Sequence, residues 1–153
     1  MIGTVRERND ESMILAHTAD HVVALGDGDA SERIRAIAPN GVDRIIEVAF
    51  SANIDLDADV AAHGCVIAAY ASPDGRPSFP FWPMLFQNVT VRLLGSDDFP
   101  MEMRLEAARD LTAAAVDGAL HIPITARFPL GEIAAAHEAV EGHKPSGRVL
   151  VLI

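Results

Sequence analysis

Three groups of residues in the 153-residue chain are of types that can do chemistry. Gly26-Asp27-Gly28-Asp29-Ala30-Ser31 opens like the G-x-G-x-x-G turn, whose backbone amides cradle a pyrophosphate at a helix N-terminus. Two aspartates would face that anion and Ser31 replaces the third glycine, so the segment reads as a capped turn entering a helix. Asp55, Asp57 and Asp59 have the spacing of a calcium loop, which also needs Gly at its sixth position and Glu at its twelfth. Val60 and Val66 stand there, and the aspartates are expected to be a solvated helix start. His17, His21, His63, His121, His137, His143 and Cys65 carry metal-ligating atoms. No H-E-x-x-H or C-x-x-C brings two of them together, so no metal site is expected. Cys65, in an apolar run, reads as a small buried hydrophobe.

The aromatics form a fourth group. Phe79, Phe81, Trp82 and Phe86 lie in and just after a stretch holding Pro73, Pro77, Pro80 and Pro83. On a loop that is too much apolar surface to leave wet. It covers a cleft, meets a partner, or is buried beneath the loop.

The elements that must carry these residues alternate in type. Apolar runs at residues 1–5, 21–25, 44–50, 65–71, 89–94 and 147–153 read as strands, and residues 126–128 as short extended structure. Helical patterns fall at residues 9–17, 30–38, 54–62, 102–120 and 131–141. Pro39 stops the second of these helices, and Gly64 takes the C′ position of the third. Residues 72–83 are a loop that no regular helix should cross. The run RIIEVAF at residues 44–50 predicts a strand covered on both faces. Such alternation predicts an α/β fold, a mainly parallel sheet with helices on both faces, in one domain spanning residues 1–153. Ligands in such folds sit beyond the C-terminal ends of the strands, which points to the residues after Val5, Leu25, Phe50, Ala71 and Leu94.

Composition narrows the class. Half of the residues are hydrophobic, enough for a sizeable core and against disorder. With 22 acidic and 12 basic side chains the net charge is −10, which repels a phosphate backbone, so no nucleic-acid partner is expected. No apolar run approaches the length of a membrane span, and none is expected. A single cysteine and the lack of a signal-like start suggest a cytoplasmic protein.

Five segments, in order, resemble the medium-chain dehydrogenase/reductase family. AHTADHVVALGDGD is similar to the third strand of that family's cofactor domain, NGVDRIIEVAF to the fourth and VAAHGCVIAAYAS to the fifth. WPMLFQNVTVRLLGS resembles the approach to the sixth strand, and RFPLGEIAAAHEAVEGHKPSGRVLVLI the closing segment. The nearest flavour is that of the NADPH-dependent quinone oxidoreductases, zinc-free members included. The resemblance implies a Rossmann-like fold that opens at the second strand. The family's barrel domain, first strand and Gly-rich phosphate turn would lie outside these residues, together with most zinc ligands of the zinc-bearing members.

The resemblance also implies a site. Val5 takes the place where an acidic residue would bind the adenine-ribose hydroxyl of NAD, and Arg6 is placed to pair with the 2′-phosphate of NADP(H). Phe50, Ser51, Ala71 and Ser72 would frame the nicotinamide half, with Gly95 and Ser96 near it. Phe50-Ser51 stands where relatives often carry Gly-Gly, which narrows the cleft. The implied activity is hydride transfer from NADPH to a quinone, enone or related carbonyl compound, with no proton donor assigned. A homodimer is implied through the strand from Val89 to Leu94. The alternative is a non-catalytic module acting through its sheet edges or a partner.

Overall fold

The computed structural model describes residues 1–6, 19–142 and 147–153. The helix expected at residues 9–17 lies outside the described residues. The chain divides into two compact units, Met1–Phe99 and Pro100–Ile153.

The first unit begins with β1 (Ile2–Val5) and β2 (His21–Ala24), paired in parallel with Ile2 opposite His21 and Val5 opposite Ala24. A short turn at Leu25–Asp27 leads into α1 (Ala30–Ile37), which buries Ala30 and Ile34 and ends before Pro39. Then follow β3 (Val42–Glu47), α2 (Phe50–Val60), β4 (Ala61–Ala69), α3 (Phe81–Phe86) and β5 (Thr90–Leu93). The order β3-β4-β5 forms a second parallel sheet, with Glu47 opposite Ala69 and Ala69 opposite Leu93. No ladder joins β1 to β3 among the described residues.

Two clusters hold this unit. Phe50, Ile54 and Ala58 of α2 pack with Cys65, Ile67 and Ala69 of β4 and with Met84 of α3. Val23, Ala30, Ile34 and Val60 form the other, with Ile2, Val42 and Leu56 packed against it. Burying a side chain such as Ile54 or Ile67 contributes roughly 1.5–3 kcal/mol. Arg35 of α1 ties the two helices together, its guanidinium donating to the Asp59 carbonyl at 3.0 and 2.7 Å.

The α/β fold and its parallel pairing are as the sequence predicts, but several local expectations are corrected. The strand expected over residues 44–50 stops at Glu47, because the Glu47 carboxylate accepts the Ala49 amide and turns the chain into α2. Within the first unit the described residues cover only one face of β3. Glu47 is buried, while Ile46 is 71% exposed, since an apolar run alone does not say how many layers exist to cover it. A helix does enter the proline-rich stretch. In α3, Pro80 is the N-cap and Pro83 the third helical residue, positions whose amides a helix leaves unpaired anyway. Gly64 lies inside β4, not at a helix end. Its φ of 77° presents its amide to the Gln87 carbonyl at 2.6 Å.

Gly41 sets the start of β3. Its φ is 86°, and an added Cβ would lie 2.6 Å from the Ala62 nitrogen and 2.8 Å from the Ala61 carbonyl oxygen. Both contacts are backbone and cannot swing away. Gly41→Ala should therefore destabilise the unit by about 2–4 kcal/mol, seen as a lower denaturant midpoint. An unchanged midpoint would show that the turn relaxes freely.

The second unit holds α4 (Met101–Val116), β6 (Ile124–Pro129), α5 (Ile133–Glu141) and β7 (Arg148–Leu152). β6 and β7 pair in parallel, with Phe128 opposite Val151. α4 ends four residues earlier than its apolar pattern predicts. Gly118 takes a φ of 70°, and the amides of Ala119 and Leu120 turn back to the Ala114 carbonyl at 2.8 and 3.0 Å.

Candidate functional site

The C-terminal ends of β3, β4 and β5 are drawn together by backbone bonds. Tyr70 donates to the Glu47 carbonyl at 3.1 Å, Phe50 to that of Ala71 at 3.0 Å, and Leu94 to that of Ala69 at 2.9 Å. Beyond them opens a cleft of about 480 Å³ whose lining includes Phe50, Ala71, Ser72, Asp74, Leu94 and Gly95. Four of the residues singled out from the sequence, Phe50, Ala71, Ser72 and Gly95, thus share one cleft.

Ser51 stands beside the cleft and fixes its rim. Its amide donates to Ser72 Oγ at 3.3 Å, and its own Oγ accepts the Asp74 amide at 3.0 Å. Ser72 Oγ in turn donates to the Asp74 carbonyl at 2.7 Å. These bonds pin the loop after β4 to the first turn of α2. Ser96 opens the short turn Ser96–Asp98 directly after Gly95.

Val5 and Arg6 do not line this cleft. Val5 is buried at the end of β1, and Arg6 follows it exposed, its carbonyl accepting the Gly26 amide at 3.1 Å. The glycine turn after β2 is no phosphate cradle. Asp27 pairs with Arg33 at 3.0 Å, Gly28 takes a φ of 79°, and α1 starts at Ala30. Asp29 occupies the N-cap position but makes no side-chain capping bond, so the expected cap is absent.

A second polar group, which sequence reasoning missed, lies at the start of α2. The Glu47 carboxylate accepts the Asn53 amide at 3.2 Å on each oxygen. One turn further on, Asp57 is also buried, which corrects the expectation that all three aspartates are solvated. Asp55 and Asp59 are exposed; Asp57 faces inward because it lies one helical turn from each of the buried Ile54 and Val60. Burial, and after it the nearby Glu47 carboxylate, push the Asp57 carboxyl up to about 7. Its Oδ2 has no hydrogen-bond partner. The one available signal was Glu47 itself, a lone charge inside an apolar run. Cys65 is buried as expected, and that burial raises its thiol.

The fold is Rossmann-like, and comparison with known proteins makes the family explicit. The chain belongs to the zinc-binding dehydrogenase family, whose model matches residues 17–151. No curated protein matches it. Among solved structures, a 2-haloacrylate reductase superposes with a TM-score of 0.85 at 22% identity, over 99% of this chain and 49% of its own. A quinone oxidoreductase of Pseudomonas syringae does so with a TM-score of 0.83 at 14% identity, over 99% and 48%. A mycobacterial protein complexed with NADPH gives 0.81 at 20% identity, over 99% and 48%. The chain thus spans less than half the length of these structures, corresponding to their C-terminal portion.

The donor set does not fit the metal in the family's description. Among the described residues no group of three or more His, Cys, Asp or Glu side chains could hold an ion.

Proposed function

We propose that residues 1–153 form the NADP(H)-binding portion of an oxidoreductase that reduces a quinone, enone or related carbonyl compound. The observation that carries this reading is the convergence of Phe50, Ala71, Ser72 and Gly95 on one cleft at the C-terminal ends of parallel strands, where open α/β sheets bind ligands. The solved mycobacterial relative with NADPH and the Pseudomonas syringae quinone oxidoreductase support the cofactor and the substrate class.

The nucleotide, when bound, supplies the hydride. The chain's own residues shape its surroundings. Phe50, Leu93 and Leu94 offer apolar surface to one side of a flat ring, while the Ser51–Ser72–Asp74 bonds hold the rim in place. At the end of β1, Val5 offers no acceptor to a ribose hydroxyl, whereas the exposed Arg6 guanidinium suits a phosphate bidentately. NADPH should therefore bind more tightly than NADH. Arg6→Ala should weaken NADPH binding by roughly 1.5–3 kcal/mol and leave NADH nearly unchanged. A titration giving equal affinities for both nucleotides in the unaltered chain would refute the reading.

The same proposal includes a cytoplasmic homodimer through the strand from Val89 to Leu94. β5 is paired only with β4 among the described strands. Beside it Phe81 meets Trp82 edge-on at 5.3 Å and Trp82 stacks on Phe86 at 6.0 Å, all three of them exposed. Antiparallel pairing of β5 with its twin would satisfy the open edge and cover these rings. Sedimentation at micromolar concentration should show twice 16.3 kDa, and Leu93→Pro should weaken the assembly by removing a donor of the open edge, because the Leu94 amide faces β4 and that of Leu93 therefore faces away from it. A monomer throughout would count against it. Among the described residues no helix is long and apolar enough to cross a membrane.

A further inference from the structure

Reduction of a carbonyl compound leaves negative charge on its oxygen, so the cleft beyond β3, β4 and β5 must present a donor to that atom. Three of the side chains lining it carry oxygen, those of Tyr70, Ser72 and Asp74. Two of them have no proton to give. Asp74, a carboxylate, accepts the Arg76 amide at 3.0 Å. Ser72 Oγ accepts the Ser51 amide at 3.3 Å and commits its own hydrogen to the Asp74 carbonyl at 2.7 Å. Ser51 stands off the lining, with its Oγ turned to the Asp74 amide.

Tyr70 is the donor that remains. Its hydroxyl has no hydrogen-bond partner among the described residues, and its side chain is 57% exposed. The backbone that carries it is fixed on both sides. The Tyr70 amide donates to the Glu47 carbonyl at 3.1 Å, and the next carbonyl, that of Ala71, accepts the Phe50 amide at 3.0 Å. A phenol therefore hangs from an anchored strand end at the mouth of an otherwise largely apolar cleft, with its proton uncommitted.

We propose that Tyr70 is a catalytic residue, the hydrogen-bond and proton donor to the carbonyl oxygen of the substrate. The role rests on the oxidoreductase reading above and adds the group which that reading lacks. As the substrate takes up a hydride with its two electrons, its carbonyl π bond opens and the oxygen becomes anionic. The Tyr70 O–H bond breaks, its proton forms the new O–H bond of the hydroquinone or enol, and the phenolate left behind takes a proton from water. Exposure of the ring makes that last step possible without a buried relay. It also fits the substrate to a neutral carbonyl compound, since the one charged side chain on the lining, Asp74, repels an anion.

The test uses the unaltered chain without nucleotide, Tyr70→Phe, and two ligands of the same outline. Duroquinone carries two carbonyl oxygens, and its fully substituted ring does not alkylate side chains; durene is the same tetramethylbenzene ring without oxygen. Tyr70→Phe keeps the ring and the backbone bonds, and circular dichroism checks that it folds. The variant should bind duroquinone about three- to tenfold more weakly than the unaltered chain, the range for one neutral hydrogen bond, and durene equally well. The infrared carbonyl stretch of carbonyl-13C duroquinone should lie lower on the unaltered chain than on Tyr70→Phe, a signature that a merely structural role would not produce. Should the variant fail to fold, the stretch on the unaltered chain decides, read against that of the quinone in hydrocarbon solvent. Equal affinities or an unshifted stretch, with NADPH still bound, would overturn the role of Tyr70 and leave the oxidoreductase reading standing. A chain that binds neither duroquinone nor NADPH would overturn both.

Discussion

Residues 1–153, purified as such, should not turn over quinones with NADPH at an enzyme-like rate. A dinucleotide needs backbone donors for its pyrophosphate, and among the described residues the glycine turn at 26–28 does not supply them, its Asp27 carboxylate being paired with Arg33. The cleft at the ends of β3, β4 and β5 is also open, with Tyr70 and Leu93 largely exposed on its lining. A nicotinamide there would meet water on one side and would not be held in a reactive pose. Positioning is worth roughly 7–11 kcal/mol of a barrier, so an unwalled site forfeits most of its acceleration. The measurement is NADPH oxidation with simple quinones, by this chain and by a longer polypeptide that adds a barrel domain and Gly-rich turn of the family. Turnover by residues 1–153 at about 1–1,000 per second would show that they hold a complete site.

How far the sequence reaches is seen by comparing β4 with β3. The run around Cys65 and Ile67 is apolar, and the structure buries it between neighbours on both sides, as patterning predicts. The run at residues 44–50 looks the same, yet among the described residues of the first unit it lies at a sheet edge with one face open. Local composition carries burial tendency but not the number of layers, which depends on elements far away in the chain. The cleft was legible because chain reversals at strand ends are local events: Phe50, Ala71, Ser72 and Gly95 each follow an apolar run. The Glu47–Asn53–Asp57 group was not legible in the same way. Its geometry depends on α2 starting at Phe50, four residues earlier than its pattern suggests, and that start brings Asn53 into the helix one turn before Asp57 and beside Glu47. The D-x-D-x-D spacing drew attention to the right residue for the wrong reason.

Asp57 should make the first unit less stable as the pH rises, and Asp57→Asn should remove that dependence. The folded carboxyl titrates near 7, above its ordinary value of 3.8, because burial and then Glu47 disfavour its charge. Between about pH 4 and pH 7 the folded chain therefore holds a proton that the unfolded chain has released. Stability from this group is full below about pH 4 and is lost as the pH climbs through 7, where an ionised Asp57 is buried near the Glu47 carboxylate. A shift of this size corresponds to a penalty on the order of a few kcal/mol at pH 8. Asparagine keeps the shape, cannot ionise, and brings an amide that can donate toward the Glu47 carboxylate. Urea midpoints at pH 5 and pH 8 check the claim. The unaltered chain should fall between them, and Asp57→Asn should fall less and be the more stable of the two at pH 8. Other titrating groups are common to both proteins and cancel in the difference. Parallel pH profiles would mean that Asp57 is hydrated or paired in solution.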